Sequence, residues 1–580
     1  MTKYRWVLRP IDDPEAVTQL QQALNNLPEA LARTLVLRGI DSFDAAKRFF
    51  RPSLNDLHDP FLMQDMDDAA RRVAQAIQQR ERVLVYGDYD VDGTTSTALM
   101  MRFLSEMGVE AAFFIPNRFT HGYGLNIAGI DYAVEQGARL IIALDCGITA
   151  LDEARYAREH GIGLIICDHH TAGDTLPDAL AVLDPKRPEC SYPFKELSGC
   201  GVTFKLVEAT LRCLEESPEQ AFSYADLVAI STASDIVPLT GENRVLMREG
   251  FKRLRQQPSL GLRKLAQQAR LDFNHLTVDR IVFGIGPRIN AAGRMGEAHR
   301  AVALLLSDDS VEATKLAALL EHANQQRRTL DQETQAQAIR KAEIQLGGRM
   351  RHALVLHEPD WHQGVVGIVA SRLVDRFHRP AVMLCTANDA AKGSARSITG
   401  INIYTAIKAC EDLLTQFGGH DFAAGLTLPE ENIPAFRERL DEVVGRMMTP
   451  EMMIPAIKVD ASLNLHDLDD RFWNVLNQFA PFGPENMKPI FLSRDLEVMG
   501  PPKTVGNGGA HLKFSVRQRG GSSSPPRHVI GFGMGAYLQT VLDSRRNGQP
   551  LSMVFSIEEN TWQGRTSLQL RARDLRVEDS

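Results

Sequence analysis

The chain has 580 residues, 44% of them hydrophobic and 24% charged, with a formal net charge of −8. That length exceeds the roughly 250–300 residues at which a single core stops growing, so several domains are expected, and the composition excludes wholesale disorder. No apolar run approaches the roughly 18 residues a membrane span needs, and the opening residues lack a secretory apolar stretch, so a cytoplasmic protein with no membrane partner is expected. The seven cysteines are never spaced Cys-x-x-Cys, which argues against both a disulfide framework and a zinc ribbon. The mild acidity conceals an asymmetry: residues 503–576 hold eleven Lys/Arg and four Asp/Glu, a local +7 that leaves −15 elsewhere. Such a basic segment is an electrostatic footprint for a polyanion.

In chain order, residues 1–67 are helical in pattern and form a lead-in that ends in an Asp-rich, Pro-bounded stretch. Over 68–240, short apolar runs alternate with helical patterns: a helix from Asp68, a strand before Asp88, a helix over 94–107, a strand over 111–115, a helix before Gly137, then strands before Asp145 and Asp168. That alternation predicts a doubly wound α/β domain with a parallel sheet. A helix over 226–235 stops before Pro238 and places Asp235 at its end. Residues 241–350 read as helical, with a nearly continuous helix over 298–346 as a strut. A second α/β region occupies 351–450, with strands over 353–356 and 381–385 and a glycine-rich turn over 417–425. Past a Met/Pro-rich joint, residues 456–580 alternate in the β manner, which suggests a small barrel, with a loop at 520–526.

The chemistry lies where strands end. Val83-Leu-Val-Tyr-Gly-Asp88-Tyr-Asp90-Val-Asp92-Gly93, Leu140-Ile-Ile-Ala-Leu-Asp145 and Gly163-Leu-Ile-Ile-Cys-Asp168-His169-His170 each run from apolar residues into acid. Strands buried on both faces present their C-terminal ends to a ligand crevice, so five carboxylates and two imidazoles converge at one sheet edge. Divalent cations are the natural countercharge. An EF-hand loop starting at Asp88 is excluded because its twelfth residue is Leu99, where a bidentate Glu is required. Asp92 is expected to cap the following helix. Adjacent histidines on a strand face opposite ways, so His169 is expected to enter the site and His170 to support it or contact substrate.

Asp168-His169-His170, together with strand-end Asp88, Asp90 and Asp145, resembles the DHH phosphoesterase superfamily, which is named for this triplet. Tyr86-Gly-Asp-Tyr-Asp-Val-Asp-Gly93, Pro116-Asn-Arg-Phe-Thr-His-Gly-Tyr-Gly124, Asp145-Cys-Gly147, Ala233-Ser-Asp-Ile-Val-Pro238, Gly286-Pro-Arg-Ile-Asn-Ala-Ala-Gly-Arg294, His357-Glu-Pro-Asp-Trp-His-Gln-Gly-Val-Val-Gly367 and Gly418-Gly-His420 follow in an order similar to that of the bacterial RecJ single-strand-specific exonuclease family. The likeness covers nearly the whole chain. It implies a DHH domain, a connecting helix, a DHHA1 domain and a C-terminal OB-fold, and release of mononucleotides from the 5′ end of single-stranded DNA in recombination and repair. It also implies a single-strand-binding protein and a RecQ-type helicase as partners; a monomer is expected. Cys146 stands where the family often has Asn, and Ser394-Ala-Arg-Ser where Ser-Gly-Arg-Ser is also common; neither difference removes a charge.

Carboxylates with one imidazole and no thiolate suit Mg²⁺ or Mn²⁺, and the histidine tilts the choice toward Mn²⁺. Asp90, Asp145, His169 and Asp235 are assigned to one ion, and Asp88 with a shared Asp145 to a second. Two ions about 3.5–4 Å apart would hold a scissile phosphate for hydrolysis without a covalent intermediate. Asp168 and His170 are placed behind the ligands or near the phosphate. The family resemblance puts Arg118, Ser394 and Arg396 in a separate pocket for a terminal phosphate, a role that guanidinium forks and a hydroxyl suit. Arg294 and His420 are expected to contact substrate. In the tail Lys513, Phe514, Arg517, Arg519, Trp562 and Arg565 mix cations with aromatic rings as single-strand binders do, although Phe514 fits a barrel core equally well. Two competing readings are a DHH–DHHA1 phosphoesterase for nanoRNA or cyclic dinucleotides, whose members are typically shorter and lack the basic tail, and a silent DNA-binding scaffold, which would have lost carboxylates that are all present here.

Overall fold

A computed structural model of the chain describes residues 4–348, 350–387, 389–520, 525–562 and 565–578. The chain divides into two compact units, Asn55–Met453 and a second in which Met1–Leu54 joins Ile454–Ser580. Among the described residues no helix is long and apolar enough to cross a membrane.

The larger unit begins with a five-stranded parallel sheet in the spatial order Ala111–Phe114, Val83–Gly87, Leu140–Leu144, Gly163–Cys167, Ala181–Leu183. Its two faces follow from the period-2 geometry of strands. Val83, Val85, Leu140 and Ile142 pack into a core with helices Met66–Gln79, Val91–Glu106 and Gly199–Cys213. Leu84, Tyr86, Ile141 and Ala143 face the other way, toward Ile127–Glu135 and Leu151–Glu159. Coverage on both faces is why these strands read as continuous apolar runs. The strand that comes first in the chain lies second in space, so the winding direction reverses between Val83–Gly87 and Leu140–Leu144, and the crevice opens outside the carboxyl ends of that pair.

The expected continuous helix over 298–346 is instead two helices. His299–Leu306 stops at Ser307, whose backbone is extended, and Ser310–Gly347 starts anew because the Asp309 side chain accepts hydrogen bonds from the N–H groups of Val311 (2.8 Å) and Glu312 (2.7 Å). Beyond it a mixed sheet runs Gln416–His420, Ala423–Leu428, Ala390–Arg396, Ala381–Ala387, Leu354–His357. The glycine-rich stretch is thus the hairpin of the first two strands. The unforeseen strand Ala390–Arg396 places Ser394 and Arg396 two residues apart, on one face.

The lead-in assigned to 1–67 does not stand as such. Arg5–Leu8 is a strand paired in parallel with Ala456–Val459, and helices Pro14–Ala23, Glu29–Val36 and Phe43–Phe50 give Leu20, Leu31, Leu35 and Phe49 to one core with Leu463, Phe479, Phe491 and Phe555. The apolar faces of three short helices need a partner surface, and the C-terminal sheet supplies it. In that sheet the 15-residue strand Phe491–Val505 pairs with Leu551–Trp562 through its first half and with His511–Gln518 through its second, the OB-like way of curling a sheet on itself. His511–Gln518 alternates, burying Leu512, Phe514 and Val516 and turning Lys513 and Arg517 outward. Phe514 is therefore core. The side chains of Trp562 and Arg565 and loop residues 521–524 lie outside the described residues.

Candidate active site

At the switch point Asp88 follows its strand and Asp90 begins the next helix, its Oδ1 accepting from the N–H groups of Asp92 (2.9 Å) and Gly93 (3.1 Å). The helix cap is thus Asp90, where Asp92 was expected. Gly93 has no alternative here, since a Cβ would sit 2.4–2.6 Å from the Asp88 backbone. Asp92, one turn in, is fully buried and belongs to the site: its carboxylate accepts from Gly199 N (2.7 Å), Cys200 N (2.8 Å) and the Ser231 hydroxyl (2.6 Å), and lies 3.7 Å from His169 Nε2. Asp145 occupies the left-handed region at φ 61°, which Asp tolerates better than most residues. The start of helix Gly199–Cys213 comes so close to it that a Cβ on Gly199 would sit 2.8 Å from the Asp145 carboxylate. Asp235 ends helix Ala225–Ser234, its Oδ2 3.4 Å from His169 Nε2, and Asp145 Oδ1 is 3.3 Å from the same nitrogen.

Both histidines reach this edge, contrary to the expectation for adjacent strand residues. The strand ends at Cys167, so the two-residue period no longer applies, and the rings lie 4.6 Å apart. Asp168 does the turning: its Oδ2 accepts from Ile148 N (2.9 Å), and its Oδ1 accepts from the backbone N–H groups of His169 (2.8 Å) and His170 (3.1 Å) and pairs with His170 Nδ1 (2.7 Å). With both oxygens so engaged, Asp168 positions the loop. On its other side His170 Nε2 lies 3.4 Å from the Tyr123 hydroxyl.

Among the described residues three groups bring ligand atoms within 4.8 Å of one another: Asp88, Asp90 and Asp145; Asp92, His169 and Asp235; Asp145, His169 and His170. Burial, then neighbouring carboxylates, push Asp88, Asp145 and Asp235 well above the ordinary carboxylate range. Burial holds His169 down at about 4. His170 goes the other way: burial would lower it, but the hydrogen bond and charge of Asp168, joined by the charges of Asp235 and Asp92, together outweigh burial and raise it to about 9. Asp88 Oδ1, Asp145 Oδ1 and both nitrogens of His169 are buried without a hydrogen-bond partner. Buried acceptors left open beside a neutral imidazole fit a hard divalent cation.

The same unit holds a second group of like charge. Arg118 donates to the Tyr89 hydroxyl (3.1 Å) and lies 4.5 Å above that ring. Arg294 donates to the Gly364 carbonyl (3.0 Å), and Arg396 to the Ser394 hydroxyl (2.6 Å) and the Ala395 carbonyl (2.8 Å). Burial, then Arg118, Arg327 and Arg396, lower Arg294 to about 10. Arg327 was not foreseen; it sits amid the charges of the long helix, where its link to Asn324 (2.8 Å) reads in sequence as an ordinary polar pair on a helix surface. His420 ends an exposed hairpin strand and has no described contact with either group. In the other unit Lys513 faces outward and Arg517 pairs with Glu497 at 3.0 Å.

Residues 82–232 match the DHH family, N-terminal domain, residues 350–446 the DHHA1 domain and residues 459–574 the RecJ OB domain. The single-stranded-DNA-specific exonuclease RecJ of Bacillus subtilis is 39% identical over 581 residues, covering 100% of this chain and 71% of that protein. The chain belongs to the RecJ family. Salmonella typhimurium RecJ is 33% identical over 574 residues, with 95% of this chain and 96% of that protein covered. The crystal structure of Thermus thermophilus RecJ in complex with Mn²⁺ has a TM-score of 0.82 at 30% identity, covering 100% of this chain and 80% of that one; the Mg²⁺ complex has a TM-score of 0.77 at 28% identity. The OB identity of the C-terminal sheet, which strand alternation could not supply, comes from this family.

Proposed function

We propose that the chain is a divalent-cation-dependent exonuclease that hydrolyses single-stranded DNA from its 5′ end and releases 5′-mononucleotides, in DNA recombination and repair. One observation carries the reading: a compact unit presents carboxylates with unpartnered buried oxygens at a sheet switch point and, separately, Arg294 and Arg396, which no carboxylate among the described residues neutralises. The first set suits cations and the second a phosphate. Asp88, Asp90 and Asp145 would hold one Mn²⁺ or Mg²⁺, and His169 and Asp235 with a shared Asp145 the other, while Asp92, its two oxygens taken by Gly199, Cys200 and Ser231, positions the cluster. Bound there, such ions supply Lewis acidity toward a phosphoryl oxygen and a nucleophilic water at neutral pH.

The chain's own groups do the rest. Asp168 holds His170 with Nδ1 engaged, and Nε2, 3.4 Å from the Tyr123 hydroxyl, would be shared between that phenol and substrate. Arg118, Arg396 and Ser394 fix the terminal phosphate, and Arg294 the backbone beside it. Lys513, Arg517 and Trp562, with their neighbours on the OB-like sheet, would track the strand behind, and His420 would touch it from the hairpin. A single-strand-binding protein and a RecQ-type helicase are the partners this role calls for, with a monomer acting in the cytoplasm. The alternative, a phosphoesterase for nanoRNA or cyclic dinucleotides, leaves the OB-like unit without a task. A time course on single-stranded DNA carrying either a 5′ or a 3′ label tests the proposal. With Mn²⁺ the 5′ label should leave at once as a mononucleotide while the 3′ label descends a ladder; the reverse order, or digestion that persists in EDTA, would refute it.

A further inference from the structure

His362 stands in an unusual place. It precedes helix Gln363–Phe377 as its cap, with Nδ1 accepting from the Gly364 N–H at 3.0 Å. Ser, Thr, Asp and Asn are the usual caps, so a histidine here points to a demand beyond capping. Because Nδ1 receives a proton, the ring carries its own on Nε2, and that N–H has no hydrogen-bond partner among the described residues. Burial, then Arg118, lower its pKa, so the imidazole stays neutral near pH 7.

The N-terminal part of this helix lies against Arg294 and Arg396 of the cationic group, and its cap meets the chain neighbour of Arg118. The Gly364 carbonyl accepts from Arg294 at 3.0 Å, and a Cβ on Gly367 would lie 3.1 Å from both Arg396 Nη2 and Ser394 Oγ. The His362 ring meets Phe119, next to Arg118, edge-on with centroids 5.7 Å apart. A Cβ on Gly364 would press on Arg294 O at 2.7 Å and on the His362 ring at 3.0 Å, so glycine there allows all three to close up. An Asp cap would bring a negative charge to a phosphate seat. A histidine caps with one nitrogen and keeps a neutral N–H donor on the other.

We propose that His362 is a further phosphate-contacting residue, a neutral donor that joins Arg118, Ser394 and Arg396 in holding the 5′-terminal phosphate; this rests on the exonuclease reading above. His362→Asn separates the two roles, because Asn caps well but lacks the reach of Nε2. In the full-length protein with Mn²⁺, the ratio of kcat/KM for a 5′-phosphorylated over a 5′-hydroxyl oligonucleotide should fall about tenfold in His362→Asn, as loss of one hydrogen bond to a charged group predicts, with Tm unchanged. His362→Ala should lower the ratio and Tm together. A His362→Asn protein that keeps the wild-type ratio, while Arg396→Ala loses it, would overturn the inference and leave the exonuclease reading standing. A wild-type protein that digests no single-stranded DNA would overturn both.

Discussion

The acidic group of the larger unit is largely buried and the cationic group half-buried; each is of one sign, and they are opposite in how they tolerate it. Asp88, Asp145 and Asp235 are pushed upward by burial and then by neighbouring carboxylates, Asp90 and Asp92 above all, and so can shed charge by taking protons. Arginine has no such escape. Arg118, Arg294 and Arg396 instead direct their N–H groups to a phenol, carbonyls and a hydroxyl, all neutral acceptors that leave the positive charge uncancelled. The first group is therefore conditional, its charge set by pH and metal, and the second is permanent. A catalytic centre loaded by ions fits the one, and a standing seat for phosphate fits the other.

Removing a ligand breaks the conditional half most severely. Asp145→Asn should lower turnover by at least about a thousandfold in Mn²⁺ while leaving Tm in EDTA equal or higher, since a buried like charge is removed and Asn tolerates the left-handed φ of 61°; steady-state assays and melting curves check both. Next comes the permanent half. Arg396→Ala should cut kcat/KM on 5′-phosphorylated oligonucleotides by about 10–100-fold more than on 5′-hydroxyl ones; equal losses on both would move Arg396 to general backbone binding.

A smaller effect sharpens the contrast through pH. The raised carboxylates bind more protons folded than unfolded, so their contribution to metal-free stability is complete below the unfolded range near about 4 and is lost as pH climbs through their raised values. In EDTA, Tm should therefore fall as pH rises above the ordinary carboxylate range, and the gain on adding Mg²⁺ should widen as it does. A metal-induced gain independent of pH would contradict this. The smallest effect belongs to the exposed cations of the other unit: Lys513→Ala should flatten log K against log salt on long single strands by roughly 0.7 per lost contact. Point variants serve better than truncation at the joint near 454, because Leu31 and Phe49 share a core with Phe479 and Phe555 and would be stranded.

The parallel sheet, the strand-end acids and the β tail were legible in the sequence because each has a local signature: an apolar run, an acid at its end, a period of two. Asp92 was misread because Asp-x-Asp-x-Asp-Gly offers two capping candidates, and only the arrival of Gly199 and Ser231 from more than 100 residues away decides between them. That both histidine rings reach one edge was hidden because strand periodicity does not extend past Cys167, where the strand stops. Residues 1–54 were separated from the tail because parallel pairing of Arg5–Leu8 with Ala456–Val459 leaves no mark in either segment alone. What remained hidden was in each case decided by contacts or chain ends that no local pattern encodes.

The most direct test of the conditional half is Mn²⁺ titration of the chain at neutral pH, with free ion read by electron paramagnetic resonance. Two bound ions per chain are predicted, with binding weakened in Asp145→Asn and in Asp90→Asn. An undiminished stoichiometry and affinity in both variants, or no binding by the wild-type chain, would contradict the assignment of this strand edge as the metal centre.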